Sequence, residues 1–511
     1  MANLTATPKS RFFQSLDRTA IVLILILSLL IGGLLLKGDR TAAKVRSFSW
    51  QDRQVGAEDT AFILTFNRPM DHESVEQNLQ INPPLPGKIS WAGRRMAYTL
   101  TAPAPYGKSF ELTLDTARDR FSQTDDPRTQ MQPFSGQFRT RDRAFVYLGV
   151  SGEEAGRLIL ANLTRQEQRI LTPKNLVVMD FQSYPNGDRI LFSATDRSSQ
   201  TKGLLDQQLY TVTTGIEVQA PAANGFGLAP DSTQPIENRP AGEMTLVLDS
   251  KEYQNLKFDL SPDGQTIAIQ RVKRNDPGDY GLWLLKTGAK PEKVNADPGG
   301  NFLITPDSQT LAMSQGQGMA ILPLAKEAPT LDFLPKYGVV LNFANDGSAA
   351  AMVKFNVDPT NPTRSLFLVT NQGVEKEILN TDGSILEAAF DPTKTNLYCL
   401  YTKRLPGDVY EEEPYIAAIN LKTYQVTDLL QLPIQRDIQL SLAPDGVGIL
   451  FDQVVTDGSK NPSGAIRSRE GKAITNGQLW LLPLLQDDQG KVIPADPQPL
   501  QLAGLRPRWL P

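Results

Sequence analysis

The feature that most constrains this chain is a hairpin that recurs. Residues Leu256 to Leu285, "LKFDLSPDGQTIAIQRVKRNDPGDYGLWLL", read as a strand, a Ser-Pro-Asp-Gly turn, a second strand, a loop and a third strand. Proline presets the turn's first φ, glycine supplies a left-handed position, and the aspartate caps its own turn. Degraded copies stand on both sides: "VVMDFQSYPNGDRILFSA", "NFLITPDSQTLAMS", "VLNFANDGSAAAMVK", "LEAAFDPTKTNLYCLY" and "IQLSLAPDGVGILFD". Their turn residues align at Asn186, Asp263, Asp307, Asp346, Thr393 and Asp445. After the first interval the copies recur every 40 to 50 residues or so, the period of a four-stranded propeller blade.

A second element repeats behind each hairpin, an apolar third strand: "QLYTVTT", "GLWLLKT", "GMAILPL", "SLFLVTN", "YIAAINL" and "GQLWLLPL". The two ends of the region look like halves of a further unit. "GLRPRWLP" at the C-terminus reads as a first strand with nothing after it, and residues 144–172 read as later strands with none before them. Joining them would remove the open sheet edges that a ring of blades cannot leave. The expectation is an all-β β-propeller over residues 144–511, most simply of seven blades, closed by pairing of the C-terminal strand with the first blade. The long first interval is read as an inserted loop over residues 215–254, rich in Pro, Gly, Ala and Asn.

Two regions precede the repeats. Residues 1–18 are short and basic, and residues 19–36, "TAIVLILILSLLIGGLLL", run eighteen positions without a charge. That approaches the ~20 residues a helix needs to span a bilayer. The expectation is a short cytoplasmic N-terminus, a single-pass transmembrane helix and a linker over 37–54, with the bulk of the chain outside. From 55 to 140 the pattern changes to six or seven short alternating strands, among them "TAFILTFN", "GKISW", "RMAYTLT" and "KSFELTLD". This composition predicts a β-sandwich.

Composition narrows the chemistry. The chain has one histidine, His72, one cysteine, Cys399, and a net charge of -4. A chain so poor in His and Cys supplies few ligands for zinc and few partners for a Cys-His or Ser-His pair. The charge gives no basic footprint for nucleic acid. Cys399 lies in the apolar run "NLYCLY" and is read as a buried strand residue, while His72 is read as a solvated turn residue. No Gly-x-Ser-x-Gly, phosphate-loop or calcium-loop pattern survives inspection. The acidic run Glu411 to Glu413 and the segment Arg274 to Tyr280 are read as solvated blade loops. No catalytic residue, metal or cofactor is expected, and the long loops 215–254, 403–414 and 456–477 are the candidate binding segments.

Two resemblances follow from these residues. "FILTFNRPMDHESVEQNLQINP" with the later "KSFELTLDTARD" resembles the bacterial Ig-like domain of the S-layer type, at Phe66, Pro69, Met70, Asp71, Phe110, Leu112 and Asp119. The loop after Asp119 departs from that pattern. The Ser-Pro-Asp-Gly hairpin resembles the repeats of TolB-type, WD40-like propellers. The layout of anchor, spacer and platform, to which the TolB-type resemblance adds, leads to the expectation of a membrane-anchored, non-enzymatic envelope protein, the propeller serving as platform for a protein or cell-wall partner. The alternatives are a lactonase- or lyase-like propeller enzyme, or a carbohydrate-binding module with its site in the central channel. Trp91, Tyr98 and Trp283 are the aromatic candidates for a sugar surface.

Overall fold

The structure is a computed structural model. It describes residues 15–37, 42–120, 131–199, 206–217, 239–325, 332–358, 360, 362–435, 437–457, 473–487 and 490–511.

Eight strands build the sandwich: β1 (Val45–Phe48), β2 (Gln54–Val55), β3 (Ala61–Phe66), β4 (Leu79–Asn82), β5 (Gly87–Ala92), β6 (Arg95–Leu100), β7 (Ser109–Leu114) and β8 (Phe134–Thr140). One sheet runs β1-β3-β6-β5 and the other β2-β8-β7-β4. Alternation decides the faces: Phe62, Leu64 and Phe66 of β3 and Phe110, Leu112 and Leu114 of β7 are buried, with more exposed residues between them. Trp50 sits among them, 5.4 Å from Phe62 and 5.0 Å from Phe138. The expected linker over 37–54 is therefore corrected, because β1, Trp50 and the start of β2 belong to this core. Asp71 caps a short helix, α2 (His72–Asn78), by accepting from the Ser74 amide. Asp119 bridges to Met70 and holds Arg68 at 2.8 Å.

Seven four-stranded antiparallel sheets follow, each a meander whose first strand lies innermost. The inner strands are Gly504–Trp509 (blade 1), Leu176–Ser183 (blade 2), Tyr253–Leu260 (blade 3), Phe302–Ile304 (blade 4), Val339–Phe343 (blade 5), Ile385–Phe390 (blade 6) and Leu440–Leu442 (blade 7). Blade 1 is composite: the C-terminal strand pairs with Ala144–Gly149, Gly504 opposite Gly149 and Trp509 opposite Phe145. The topology is that of a β-propeller. One boundary is corrected here too. Met244–Leu248, inside the expected insertion, is the outer strand of blade 2, and residues 218–238 lie outside the described ones.

N-terminal to both regions, residues Ser15–Lys37 form helix α1. Its described side chains, from Thr19 to Gly33, are almost all exposed, including Ile21 to Leu27 and Leu29 to Ile31. Among the described residues no helix is long and apolar enough to cross a membrane, so the structure does not show the expected span.

Candidate functional site

The axis of the propeller is where a ligand site would be sought, and its lining follows from a backbone problem. Each inner strand pairs with its own sheet along one edge only, and the amides of the other edge need acceptors. Neighbouring blades supply them. The Gln182 side-chain carbonyl accepts from Leu260 N at 2.7 Å, and Asp259 accepts from Ile304 N at 2.7 Å. Glu387 accepts from Leu440 N at 3.0 Å, and the Ser441 hydroxyl accepts from Trp509 N at 3.0 Å. At the blade 1–2 junction the polarity reverses, the Arg506 guanidinium donating to the Met179 carbonyl. Behind this ring Asp452, fully buried, accepts from Gln439 N at 2.7 Å and Arg506 N at 2.8 Å.

These contacts define the electrostatics. Burial lifts the Asp452 carboxyl to about 6 against the pull of its two amide donors. Burial also raises Asp259, opposed by Ile304 N, Gln182, Lys257 and Arg508. Lys257 is pulled down by burial, with Asp259 and Asp180 resisting, and it donates to Asn301 at 3.1 Å. The carboxylates that could have served as acid and base are thus tied to backbone amides of the next blade. Their geometry is that of interblade clamps. Among the described residues no cluster of three His, Cys, Asp or Glu side chains could hold a metal ion.

The parallel inner strands sort the loops onto two rims. The turns after the first and third strands of every blade lie on one rim, and the remaining connections lie on the other. The sequence-predicted turn residues all fall on the first. Asp263 accepts from Ser261 Oγ and Gln265 N, and Asp307 from Thr305 Oγ1 and Gln309 N. Asp346 accepts from Ser348 and from Lys394 at 2.5 Å. Asn186 occupies the same turn, closed by Gly187 N donating to Tyr184 O at 2.9 Å. In blade 6 the cap is Asp391 rather than the aligned Thr393, whose amide and hydroxyl it accepts.

Asp445 departs from the pattern. Besides Val447 N it accepts from Tyr106 N of the sandwich at 2.8 Å and from the Arg143 guanidinium at 2.9 Å. Its side chain is 1% exposed. Beside it Arg143 N donates to Thr164 Oγ1 at 2.8 Å. Gly107 fits here because its φ is +74° and a Cβ would stand 2.5 Å from the Thr164 hydroxyl. The sandwich is therefore seated on the capped rim, across blades 7 and 1.

The opposite rim is not covered by the sandwich. Over blades 5 to 7 it carries Phe355, Val357, Val409, Tyr410, Ile434 and Val455, all exposed, with Val357 at 88% and Val409 at 70%. The capped rim carries Val374, Leu485 and Ile493. Of the three long candidate segments, 403–414 joins the second to the third strand of blade 6 on this open rim, while residues 458–472 of segment 456–477 lie outside the described ones. Segment 215–254 leaves from the capped rim.

Other predicted residues are placed as follows. Glu412 is not solvated: it starts a strand, is 6% exposed, and accepts from Thr402 Oγ1 at 2.6 Å and Ser384 Oγ at 3.2 Å. Tyr280 is likewise in a strand, and Asp279 beside it holds Lys293 and Tyr253. His72 is exposed but stacks on Trp91 at 4.2 Å. Trp91 donates to Glu76, Tyr98 stacks on Phe62, and Trp283 covers Arg271, so none stands as a free sugar platform. Cys399 is buried, and burial pushes its thiol far up.

No family model and no curated protein sequence matches the chain. Among solved structures it is similar to TolB from Acinetobacter baumannii, at 11% identity and TM-score 0.38 over 85% of this chain and 83% of that one. It is similar to an oligogalacturonate lyase from Vibrio parahaemolyticus, at 11% identity and TM-score 0.40 over 68% and 92%. A third likeness is to hydrazine synthase of Kuenenia stuttgartiensis, at 11% identity and TM-score 0.35 over 59% and 75%. At such scores these likenesses carry no argument about this chain, and the fold rests on its own strand order.

Proposed function

We propose that this chain is a membrane-anchored, non-enzymatic binding protein of a bacterial envelope, working outside the plasma membrane. The observation that carries the reading is the asymmetry of the rims. The sandwich sits on the capped rim at blades 7 and 1, and the opposite rim displays a run of exposed apolar side chains across three consecutive blades. Exposed apolar side chains gathered on one face of a domain are a mark of an interaction site. The reading includes a ring closed by the composite blade 1 and a sandwich of the S-layer Ig-like type acting as spacer. The anchor is motivated by the uncharged apolar run of residues 19–36 in the sequence.

A lactonase- or lyase-like enzyme is the second reading, favoured only by the polar axis. The clamp role of Gln182, Asp259 and Glu387 argues against it. The test is affinity capture from solubilised envelopes with the full chain and with a Val357→Asp/Val409→Asp variant. A reproducible protein or cell-wall partner captured by the first and lost by the second supports the reading. An empty capture, or a partner indifferent to the variant, contradicts it.

A further inference from the structure

A groove of about 800 Å³ lies on the sandwich, lined by Asp52, Asn82, Glu111, Ser135, Gln137 and Arg139 among others. That volume is in the range of small-molecule sites, roughly 300–1,000 Å³. We propose that this groove binds a neutral, hydroxyl-rich oligosaccharide.

Three observations select that ligand. The first is backbone geometry. Asp52 takes a left-handed turn conformation at φ +55°, which aspartate tolerates better than most residues. Here Asp52 N donates to the Gln137 carbonyl at 2.8 Å, and Gln137 Nε2 donates back to the Asp52 carboxylate at 3.0 Å. The clamp presents the carboxylate to the groove. Hydrogen bonds from Gln51 and Gln137 hold it below the usual carboxylate range, so it remains an acceptor in mild acid.

The second observation is charge balance. Asp52 and Glu111 face Arg53 and Arg139 in the same lining, so neither a strong cation nor a strong anion is selected. Amides and hydroxyls fill the rest, Ser135 donating to Glu111 at 2.9 Å. Mixed donors and acceptors suit hydroxyl groups, which need both.

The third is the sheet itself. β7 and β8 are interior strands of β2-β8-β7-β4, with β2 paired to β8 at Arg139 and Thr140. The lining residues Ser109, Glu111, Ser135, Gln137 and Arg139 alternate along one face of the sheet, whereas β-augmentation joins an edge. Recognition must come from side chains that alternate about 7 Å apart along a strand and about 5 Å apart across strands. One or two pyranose rings present their hydroxyls over such distances. This site is separate from the open rim, and its failure would leave the propeller reading intact.

The test uses the full chain in detergent against an array of neutral oligosaccharides that includes chitotetraose and cellotetraose, followed by calorimetric titration of the best binder. Binding is expected, weakened at least tenfold by Gln137→Ala, several-fold by Glu111→Gln, and unchanged by Lys394→Ala on the propeller. Thermal melts of all three variants separate lost binding from lost fold. The proposal is overturned if no neutral oligosaccharide binds, if Gln137→Ala binds as the native chain does, or if a charged peptide occupies the groove in preference.

Discussion

The two rims of the propeller are built from one repeat and have opposite characters. On the capped rim the Pro-Asp-Gly turns satisfy themselves, as Asp263 does with Ser261 and Gln265. On the open rim the second-to-third-strand connections differ, with two residues in blades 3 and 4 and seven in blade 6, and exposed apolar residues collect at blades 5 to 7. The lesson is that regularity marks where the chain solves its own backbone problem. Departure from it marks where something else is engaged. Asp445 makes the point within a single rim: it has the letter of Asp263 in the same turn, yet its carboxylate reaches the sandwich.

The largest expected effect comes from breaking the composite blade 1. Trp509 is 7% exposed and packs edge-on against Phe145 at 5.5 Å across the composite blade. Trp509→Ala should cost about 3–5 kcal/mol, read from the urea midpoint. Asp445→Ala should come next. It strips partners from a buried amide and from a guanidinium, a loss of about 2–4 kcal/mol, and should expose the 141–143 connection to protease. Asp263→Ala removes only a turn cap, worth about 0.5–1 kcal/mol. Equal losses at the two positions would erase the distinction drawn here.

Acid should separate the axis from the capped rim. Asp452 titrates near 6 in the fold and near 4 in an unfolded chain. The native state then binds the extra proton between those values. Its contribution falls as pH rises from about 4 to about 6, by at most about 3 kcal/mol. Asp346 has the opposite sign: Lys394 and Ser348 hold it at about 2. Its stabilisation is present above about pH 4 and is lost as pH falls toward 2. Stability profiles of Asp452→Asn and Asp346→Asn should deviate from the native profile in those separate windows. The smallest effect is at Cys399, buried in blade 6, where thiol labelling of the native chain should be negligible until it unfolds.

Much of the fold was legible because the repeat carries its own turn chemistry. The six sandwich strands with clear alternation were legible for the same reason. β1 and β2 were not, since "VRSF" alternates poorly and the two-residue β2 pairs in parallel with β8, far along the chain. Met244–Leu248 hid behind its distance from strand Gln208–Thr213, and as an edge strand it is only half buried. The axial clamps left no signal at all. Gln182 and Asp259 stand on different blades, and only the packing of those blades brings them to 3.0 Å. Glu412 shows the reverse failure, an acidic run that looks solvated until Thr402 and Ser384 are folded onto it.

The most direct test of the account places a photo-crosslinking side chain at Val409 on the open rim, or at Gln265 on the capped rim, in the full chain within native envelopes. The account predicts a discrete adduct from Val409 and none from Gln265. An adduct from Gln265 alone, or equal adducts from both, would contradict the assignment of binding to the open rim.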